Sequence, residues 1–525
     1  MKKTLEFRLS PKVAFDEQLL KEFVLRKLKL EEEPEGFHIR LLNRSLDARK
    51  ETVKAVVKLE VYSYQAVPPL IEYTATFPPL PTNAPEVIVV GAGPAGYFAA
   101  LRLMELGVKP IILERGKNVS ERTSDIANIN RRHVVNPNSN YCFGEGGAGT
   151  YSDGKLYTRS KKRGSWRRVL EIFVAHGANE NILYESHPHI GTNKLPRIIS
   201  HMRANIVNQG GEVRFDSQVT DFILEKNEMK GVVLANGEKV KGAGVILATG
   251  HSARDIFELL DKKKIKIEAK PFAIGVRIEH QQKFIDQVQY HCEEKPEYLP
   301  ASSYSLVANV KYKGIPKGVF SFCMCPGGFM VPSATKEGEV VVNGMSPSRR
   351  NSKYANSGIV SSVDAEDWGF YVKKHGALAG MRYQEDIEKK ACKLAGGTQT
   401  APAQRVLDFV EKRKSETLLE TSYQPGLKSV DMFKVFPYPV AYRLRKGLEI
   451  FGKKMKGYIS NDAQIVGVET RTSSPVRIPR DPKTCEHPQI KNFFPCGEGA
   501  GYAGGIMSAA IDGMKSVDAI FEKVS

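Results

Sequence analysis

The first sixty residues alternate between strand-like and helix-like patterns of apolar side chains. Residues 4–9 and 52–62 alternate apolar and polar positions as half-buried strands do, and residues 37–42 show a further strand-like run. Residues 17–30 place their apolar side chains at helical spacing. These patterns predict a small α/β unit in which the basic residues 44–50 form a loop between the last two strands.

A proline-rich stretch follows this unit. Residues 67–85 contain six prolines, which remove backbone hydrogen-bond donors and oppose helix formation. The expected structure is a linker that runs extended over the surface. We therefore place the first domain boundary after residue 84.

An apolar strand, a glycine-rich turn and a helix then follow in direct succession. Residues 87–90 are wholly apolar and β-branched, as in a buried parallel strand. They lead into residues 91–96 (Gly-Ala-Gly-Pro-Ala-Gly) and then into helical spacing over residues 97–106. In such a turn the first glycine permits the tight bend, the second allows the backbone to approach a pyrophosphate, and the third lets the helix pack on its strand. The helix N-terminus adds free N–H groups for the phosphates.

A second strand supplies the acidic residue that a dinucleotide site needs. Residues 110–113 are apolar and end at Glu114, eighteen residues after Gly96. A carboxylate at this distance accepts hydrogen bonds from the ribose hydroxyls of the adenosine half. The ordered set of strand, glycines, helix, second strand and acid favours a dinucleotide site over a ligand-free glycine turn, but it does not distinguish NAD from FAD.

The remainder of the chain predicts an inserted domain. Residues 271–480 contain short strand-like runs, such as 318–325 and 338–343, and one longer helical stretch at 401–419. From residue 493 the chain returns to cofactor-type sequence. The predicted units are residues 1–84, 85–270, 271–480 and 481–525, with the second and the fourth forming one domain.

Two later segments resemble flavin-binding motifs. Residues 245–250 form an apolar strand that ends in Ala-Thr-Gly, and residues 492–505 contain a strand and a glycine-rich turn around Glu498, before a helix that starts at Ile506. Both resemble the later flavin-binding motifs of the glutathione-reductase superfamily. The resemblance implies that Glu498, where an aspartate is more usual, holds the ribityl chain, and that the following helix N-terminus faces the flavin carbonyl.

A further segment, residues 143–156, packs five glycines into fourteen residues. Such a segment exposes consecutive backbone N–H groups and forms a concavity suited to anions or to the electron-rich edge of a reduced flavin. Phe143 and Leu156 at its two ends favour this interpretation over that of a flexible surface loop.

Together these segments resemble a family of predicted, largely uncharacterised FAD-dependent dehydrogenases. The resemblance rests on residues 44–49, 91–96, 114–116, 143–156, 322–328, 343–346 and 497–505. It implies an α/β protein with a Rossmann-like FAD-binding domain of glutathione-reductase type, an inserted α+β substrate domain, a small N-terminal α/β domain and non-covalently bound FAD. The cofactor-binding residues that it implies are Gly91, Gly93, Pro94, Ala95, Gly96, Glu114, Arg115, Gly146, Gly147, Ala148, Gly149, Thr150, Asp153, Gly154, Lys155, Val219, Thr249, Gly250, Glu498, Gly499, Gly504, Gly505 and Ile506.

The expected reaction is hydride transfer between the flavin and a small organic substrate. No second GxGxxG follows a strand in residues 270–480, and the sequence has no Cys-x-x-Cys or four-residue-spaced cysteine pair. Both absences argue against thioredoxin- or glutathione-reductase chemistry. The substrate domain would then cover the flavin, an anionic substrate is one option, and NADH or NADPH stays open as a transient electron donor. A flavin monooxygenase also stays open, because sequence does not reveal how reduced flavin reacts with oxygen.

Four residues are candidates for catalysis, each with an ordinary structural alternative. Cys323 and Cys325 have strand spacing and so share one face, either as a redox or acid site or as small buried residues. Arg349, beside Arg350, has the fork geometry for a carboxylate or phosphate, and a solvated pair is equally consistent. His251 directly follows Ala-Thr-Gly and either reaches the flavin or merely starts a helix. No histidine has the partners that a metal site requires, so no metal is expected.

Charge and cysteine content bear on partners and compartment. The formal net charge is +18, with basic clusters at residues 161–163, 167–168 and 262–264. This charge suits phosphate-bearing ligands or, as the alternative function, nucleic acid bound through the N-terminal unit, as in tRNA modification. Seven scattered cysteines, Glu6 and Arg8 in place of a signal-peptide core, and no apolar run near the roughly 18 residues of a membrane span predict a cytoplasmic protein. The oligomeric state is left open.

Overall fold

The structure of the protein is a computed structural model that describes residues 2–157 and 164–524. The basic cluster at residues 161–163 lies outside the described residues. Within the described ranges, no helix has the length and apolar character needed to cross a membrane. All seven cysteines are free thiols.

Residues 2–62 form a three-stranded antiparallel sheet with two helices packed on it. The elements are β1 (Lys2–Leu9), α1 (Pro11–Phe15), α2 (Glu17–Leu28), β2 (His38–Asp47) and β3 (Lys54–Tyr62), with β3 at the centre of the sheet. Alternate side chains of β3, such as Val57 and Leu59, share a buried core with Leu20 and Val24 of α2. The predicted helix and strands of this unit are therefore confirmed.

The sequence predicts a loop at the basic residues 44–50, but only part of this segment is a loop. Strand β2 continues through its first residues, from Arg44 onward. Backbone pairing of β2 with β3 extends as far as Asp47. Arg44 also joins this unit to the rest of the molecule, since its Nε lies 2.9 Å from Oε1 of Glu185. The connection between the two strands is thus confined to residues 48–53.

Residues 63–85 contain no helix or strand and lie along the next unit. Tyr73 and Phe77 are buried in the core of that unit. The N–H of Phe77 donates to Oε1 of Gln209 at 2.7 Å. The proline-rich stretch is extended, as predicted, but it is packed in place rather than running freely over the surface.

Residues 86–262 alternate strands and helices around a parallel sheet. Their elements are β4 (Glu86–Val90), α3 (Pro94–Glu105), β5 (Lys109–Leu113), α4 (Val119–Arg132), α5 (Trp166–Ala175), α6 (Leu195–Asn208), β6 (Glu212–Arg214), β7 (Val219–Glu225), β8 (Glu228–Leu234), β9 (Lys239–Lys241), β10 (Gly244–Leu247) and α7 (Arg254–Lys262). Strand β4 is buried on both faces, with Val87 and Val89 in one core and Ile88 and Val90 in another. This double burial explains its wholly apolar sequence.

Residues 268–477 form a second lobe around a seven-stranded sheet. Its elements are β11 (Glu268–Ala269), β12 (Phe272–Gln281), α8 (Gln282–Tyr290), β13 (Val307–Tyr312), β14 (Ile315–Cys325), β15 (Phe329–Pro332), β16 (Val342–Met345), β17 (Tyr354–Val363), α9 (Ala365–His375), α10 (Ala379–Ala395), β18 (Ala401–Arg405), α11 (Val406–Glu411), β19 (Leu427–Ser429), α12 (Met432–Val435), α13 (Tyr438–Lys454), β20 (Gln464–Glu469) and β21 (Val476–Arg477). The strand order is β13-β14-β17-β12-β20-β18-β19, and only the β18–β19 pair is parallel. Helices α10 and α13 share one apolar core with these strands.

Parts of the second lobe differ from the sequence prediction. The prediction of a helix at 401–419 is wrong, because Ala401–Arg405 is strand β18 and only Val406–Glu411 is helical. Pro402 lacks an N–H and opposes helix, and β18 is tied to β20 by backbone pairing. A strand is predicted at 338–343, but in the structure the strand in this region is β16, which begins only at Val342. Helices α10 and α13 are absent from the sequence-based prediction.

The chain returns to the parallel sheet after the second lobe. Strand β22 (Phe493–Pro495) pairs in parallel with β10, and helix α14 (Ile506–Val524) packs beside α3. The sheet therefore has the order β22-β10-β4-β5-β6. We call residues 86–262 and 493–524 together the cofactor lobe.

Candidate functional site

A large cavity lies where the carboxyl ends of β4, β5 and β10 face the second lobe. The predicted cofactor-binding residues that line it are Gly91, Gly93, Pro94, Ala95, Glu114, Arg115, Gly147, Ala148, Gly149, Asp153, Gly154, Lys155, Val219, Thr249, Gly250, Glu498, Gly504, Gly505 and Ile506. Among the catalytic candidates, His251, Cys323 and Cys325 line the cavity. Arg349 is exposed and lies outside its lining.

The turn after β4 presents backbone, not side chains, to the cavity. Gly91 has a φ of 107°, and its N–H donates to Leu113 O at 2.8 Å. A Cβ added to Gly93 would meet no protein atom within 4 Å and would enter the cavity. A Cβ on Gly96 would lie 1.9 Å from Gly91 O, so Gly96 serves the packing of α3 and not ligand contact. The first N–H groups of α3 lack intrahelical acceptors and can bind an anion.

The glycine-rich segment is fixed by a buried glutamate that the sequence analysis does not identify. The carboxylate of Glu145 accepts the Tyr97 hydroxyl and the Val119 N–H, each at 2.8 Å, and pairs with Arg203 at 3.2 Å. Gly147–Gly149 then forms a short 3-10 turn beside the start of α3. An acidic residue within a run of glycines is the sequence signal that identifies such an anchor.

Three further residues that the sequence predicts to bind the cofactor lie outside the cavity lining. They are Gly146, Thr150 and Gly499. The Thr150 hydroxyl donates to Glu145 O at 2.9 Å, and a Cβ on Gly146 would lie 2.0 Å from that hydroxyl oxygen. A Cβ on Gly499 would lie 2.1 Å from Thr249 O. Gly146 and Gly499 have no room for a side chain because other protein atoms are close to them.

Glu114 accepts three backbone hydrogen bonds at one end of the cavity. The N–H groups of Ala92, Gly116 and Gly144 all donate to its carboxylate at 2.9 Å. A carboxylate can accept about four hydrogen bonds, so one acceptor position stays available to a ribose hydroxyl. Glu114 therefore orders the surrounding turns in addition to its expected ligand contact.

Arg115 is locked beside Glu114 by an ion pair. Its Nη1 lies 2.9 Å from Oδ2 of Asp255, and its guanidinium stacks 4.4 Å from the ring centroid of Phe143. Asp255 also accepts from Nε2 of Gln218 at 3.1 Å. Gln218 and Asp255 line the cavity but are missed by sequence motifs, because they come from segments distant in the chain.

Glu498 and His251 face the cavity from the loops after β22 and β10. Oε1 of Glu498 lies 4.0 Å from Nε2 of His251. Burial raises the pKa of Glu498 to about 7, although the N–H of Gly505 and the charge of Lys270 oppose this rise. Burial, reinforced by nearby arginines, lowers the pKa of His251 to about 4. At neutral pH the histidine is therefore neutral, and the carboxyl group is poised between its two protonation states.

The second lobe contributes a bulge of strand β14 to the cavity wall. Its pairing with β17 shifts register between Phe322 and Cys325, and Cys323 within the bulge has a φ of 43°. The expectation that regular strand spacing relates the two cysteines is therefore wrong: Cys323 is exposed to the cavity, whereas Cys325 is buried. The exposed thiol of Cys323 is therefore accessible to a molecule bound in the cavity.

Arg277 supports this bulge from inside the protein. The guanidinium is fully buried and donates to Cys323 O at 2.6 Å, to Oδ1 of Asn356 at 2.7 Å and to Oε2 of Glu469 at 2.7 Å. An unpaired buried charge is costly, and Glu469 compensates it. No local sequence motif links Arg277 or Glu469 to Cys323, so the sequence predicts no role for either residue.

Arg349 and Arg350, which the sequence suggests as anion-binding residues, do not line the cavity. Arg349 is exposed, and Arg350 is bound to Asp153, with Nε 3.0 Å from Oδ1. Lys155 lines the cavity instead, and its ammonium donates to the carbonyl oxygen of Met324 in the bulge. Lys155 therefore connects the glycine-rich segment to the second lobe.

These residues fit FAD. A pyrophosphate fits the cradle at Gly93, which a side chain would fill, and a ribose fits beside Glu114. The carboxyl of Glu498, which precedes the N-terminus of α14, lines the same cavity. Within residues 2–157 and 164–524, no three His, Cys, Asp or Glu side chains converge as metal ligands do.

Comparison with known proteins agrees with this geometry. A family described as an FAD binding domain matches residues 84–243, and one described as the C-terminal domain-like part of an FAD-dependent protein matches residues 271–472. A domain of unknown function matches residues 1–62. An uncharacterized protein of Clostridium beijerinckii is 38% identical over 97% of this chain and 96% of that protein. The chain belongs to this family of FAD-binding proteins.

FAD is thus the cofactor of this FAD-binding protein.

A thiamine thiazole synthase of Aeropyrum pernix is 28% identical over 32% of this chain and 55% of that protein. Among solved structures, FqzB aligns with 85% of this chain and 79% of its own at 14% identity and a TM-score of 0.36. The flavin-dependent brominase Bmp2 aligns with 84% and 80% at 11% identity and a TM-score of 0.36.

Proposed function

We propose that this FAD-binding protein is a dehydrogenase or reductase that transfers a hydride between bound FAD and a small organic substrate. The observation that carries this proposal is the shared cavity. One continuous lining joins the turn after β4 and Glu498 in the cofactor lobe to Phe322, Cys323 and Asn343 in the second lobe. A molecule that lies against the bulge of β14 is therefore enclosed together with the cofactor.

Two features of the chain support a small molecule as the redox partner. The sequence of the second lobe carries no second dinucleotide fingerprint, and the chain has no Cys-x-x-Cys or four-residue-spaced cysteine pair to act as a disulfide relay. The matched families give no support to the alternative in which the basic surface serves nucleic acid. On this proposal, NADH or NADPH binds only transiently, as an electron donor, in the same cavity.

The residues of the chain orient the reactants and handle the proton. FAD supplies the two-electron chemistry when it is bound. In the direction of substrate oxidation, the substrate loses a hydrogen with its bonding electron pair and, separately, a proton from its heteroatom. Glu498 can hold or release a proton near neutral pH because of its raised pKa. The Cys323 thiol faces the cavity and can donate a hydrogen bond to the bound molecule.

The test is an anaerobic absorption measurement on the purified, FAD-loaded protein. The protein is mixed separately with NADH and with NADPH, and then with panels of small alcohols, amines and carbonyl compounds. We expect the oxidised flavin bands to bleach with a donor and to recover with an organic acceptor, one product molecule per flavin. A reduced protein that is reoxidised only by dioxygen, with an oxygen atom placed in the product, would contradict the proposal.

A further inference from the structure

The lysine and arginine side chains that line the cavity are bound to carboxylates, with one exception. Arg115 binds Asp255, and Arg471 binds Glu339 and Glu388, each at 2.9 Å. Among the residues that the structure describes, Lys155 makes no ion pair, and its ammonium has a single hydrogen bond, to Met324 O. Two of its three donor positions therefore remain for a ligand.

The surroundings of Lys155 carry a surplus positive charge. Asp153 is paired with Arg350, and Glu469 is paired with Arg277. These four charges cancel in pairs, so the group that includes Lys155 keeps one net positive charge, although its ammonium is also attracted to both carboxylates. Lys155 is half-buried, and a partly desolvated charge is more favourable when an ion of opposite sign accompanies it.

The position of Lys155 separates this charge from the phosphate-binding turn. Gly147 packs beside Gly93, where an added Cβ would lie 3.3 Å from Gly93 Cα. From there the chain runs on to Lys155, whose ammonium reaches Met324 between the two cysteines of the bulge. The phosphates of FAD have their own donors at the N-terminus of α3.

We infer that Lys155 binds an anionic group of the substrate, a carboxylate or a phosphate, beside the bulge of β14. The inference rests on the proposed function and names the substrate class: a small organic anion. A lysine acts as a compact point charge with rotatable donors and accepts either group. This assignment replaces the role that the sequence suggested for Arg349 and Arg350.

The experiment is a binding titration that needs no turnover. FAD-loaded protein is titrated with acetate, succinate and inorganic phosphate at constant ionic strength, and the flavin absorption difference spectrum is recorded. We expect saturable perturbation by at least one of these probes, and the better probe distinguishes a carboxylate from a phosphate. In Lys155→Met the affinity should fall about tenfold or more, the effect of losing a hydrogen bond to a charged group.

Two variants provide the controls. Lys155→Arg keeps the charge and the reach to Met324 and should retain most of the affinity. Lys239→Met removes an exposed lysine of β9 and should bind the probes as the unmodified protein does. FAD content and melting temperature of each variant establish that the cavity is intact.

Each negative outcome has a distinct meaning. Absence of saturable binding by all three probes, or unchanged affinity in Lys155→Met, would overturn the inference. A changed flavin potential in Lys155→Met with unchanged probe binding would also overturn it, because the lysine would then serve the flavin. Failure of the proposed function appears separately, in the anaerobic reduction experiment.

Discussion

Glu498 and His251 face each other at 4.0 Å, and neither has its usual protonation behaviour. Burial raises the pKa of the carboxyl to about 7 and lowers that of the imidazole to about 4. Only 26% of the Glu498 side chain is exposed, and it faces the cavity. At neutral pH the imidazole is neutral and the carboxyl is about half ionised, so this contact is not a salt bridge.

The raised pKa of Glu498 makes the stability of the protein depend on pH. The folded state binds the extra proton more tightly than the unfolded state, so this contribution is complete below about pH 4.5 and is lost as the pH rises through about 7. Between pH 5 and 8 the unmodified protein should lose about 2 kcal/mol of unfolding free energy that Glu498→Gln does not lose. Urea titrations at the two pH values measure this. An identical pH dependence in both proteins would show that Glu498 does not titrate in this range.

At the scale of an element, Gly93 and Gly96 at the start of α3 are glycines for different structural reasons. Gly93 keeps space open on the cavity side, since no protein atom lies within 4 Å of its added Cβ. Gly96 keeps space open inside the protein, where its added Cβ would meet Gly91 O at 1.9 Å. One motif thus combines a ligand requirement with a packing requirement.

Alanine substitutions separate these two duties. Gly93→Ala should keep the melting temperature of the FAD-free protein but lose most of its FAD affinity, because the methyl group occupies the phosphate cradle. Gly96→Ala should cost about 1–3 kcal/mol of unfolding free energy or more, through overpacking against backbone. Flavin absorption after gel filtration and thermal melts measure the two effects.

An exposed helical glycine provides the control for this pair. Gly369 lies in α9 with no atom within 4 Å of its added Cβ. Gly369→Ala should raise stability by roughly 0.5–1 kcal/mol and leave FAD binding unchanged. Equal FAD loss in all three variants would contradict a specific role of Gly93.

The same element explains what the sequence could predict. The strand, turn, helix and acid from β4 to Glu114 are contiguous, so local patterns define both their fold and their ligand. The bulge at Cys323 depends on Arg277 and Glu469, which are distant in sequence and carry no local signature. The sequence wrongly predicts a helix at strand β18, because pairing with β20, and not local apolar spacing, decides the conformation of these residues.

On the scale of the whole molecule, a buried charge cluster joins the two lobes. Arg254 begins α7 in the cofactor lobe and binds Glu339 at 3.2 Å and Glu388 at 2.9 Å in the second lobe. Arg471 binds the same two carboxylates. All four side chains are buried, so the two positive and two negative charges depend on one another.

Removing one member of this cluster should loosen the contact between the lobes. Arg254→Met leaves two buried carboxylates with one cation and should cost about 3–5 kcal/mol of unfolding free energy. The double variant Arg254→Met with Glu388→Gln restores the charge balance and should recover part of this loss. A double-mutant cycle in urea measures the coupling. Simple additivity of the two single variants would show that the lobes are not coupled through these charges.

The pairing of β22 with β10 has a consequence for how the protein is made. Strand β22, Glu498 and helix α14 follow the entire second lobe in the chain, yet they complete the sheet that begins with β4. On the ribosome, a nascent chain that has not passed residue 493 has β10 without this neighbour and lacks the carboxyl beside His251. The complete FAD site therefore exists only after the ribosome has synthesised the whole second lobe and the chain beyond Glu498.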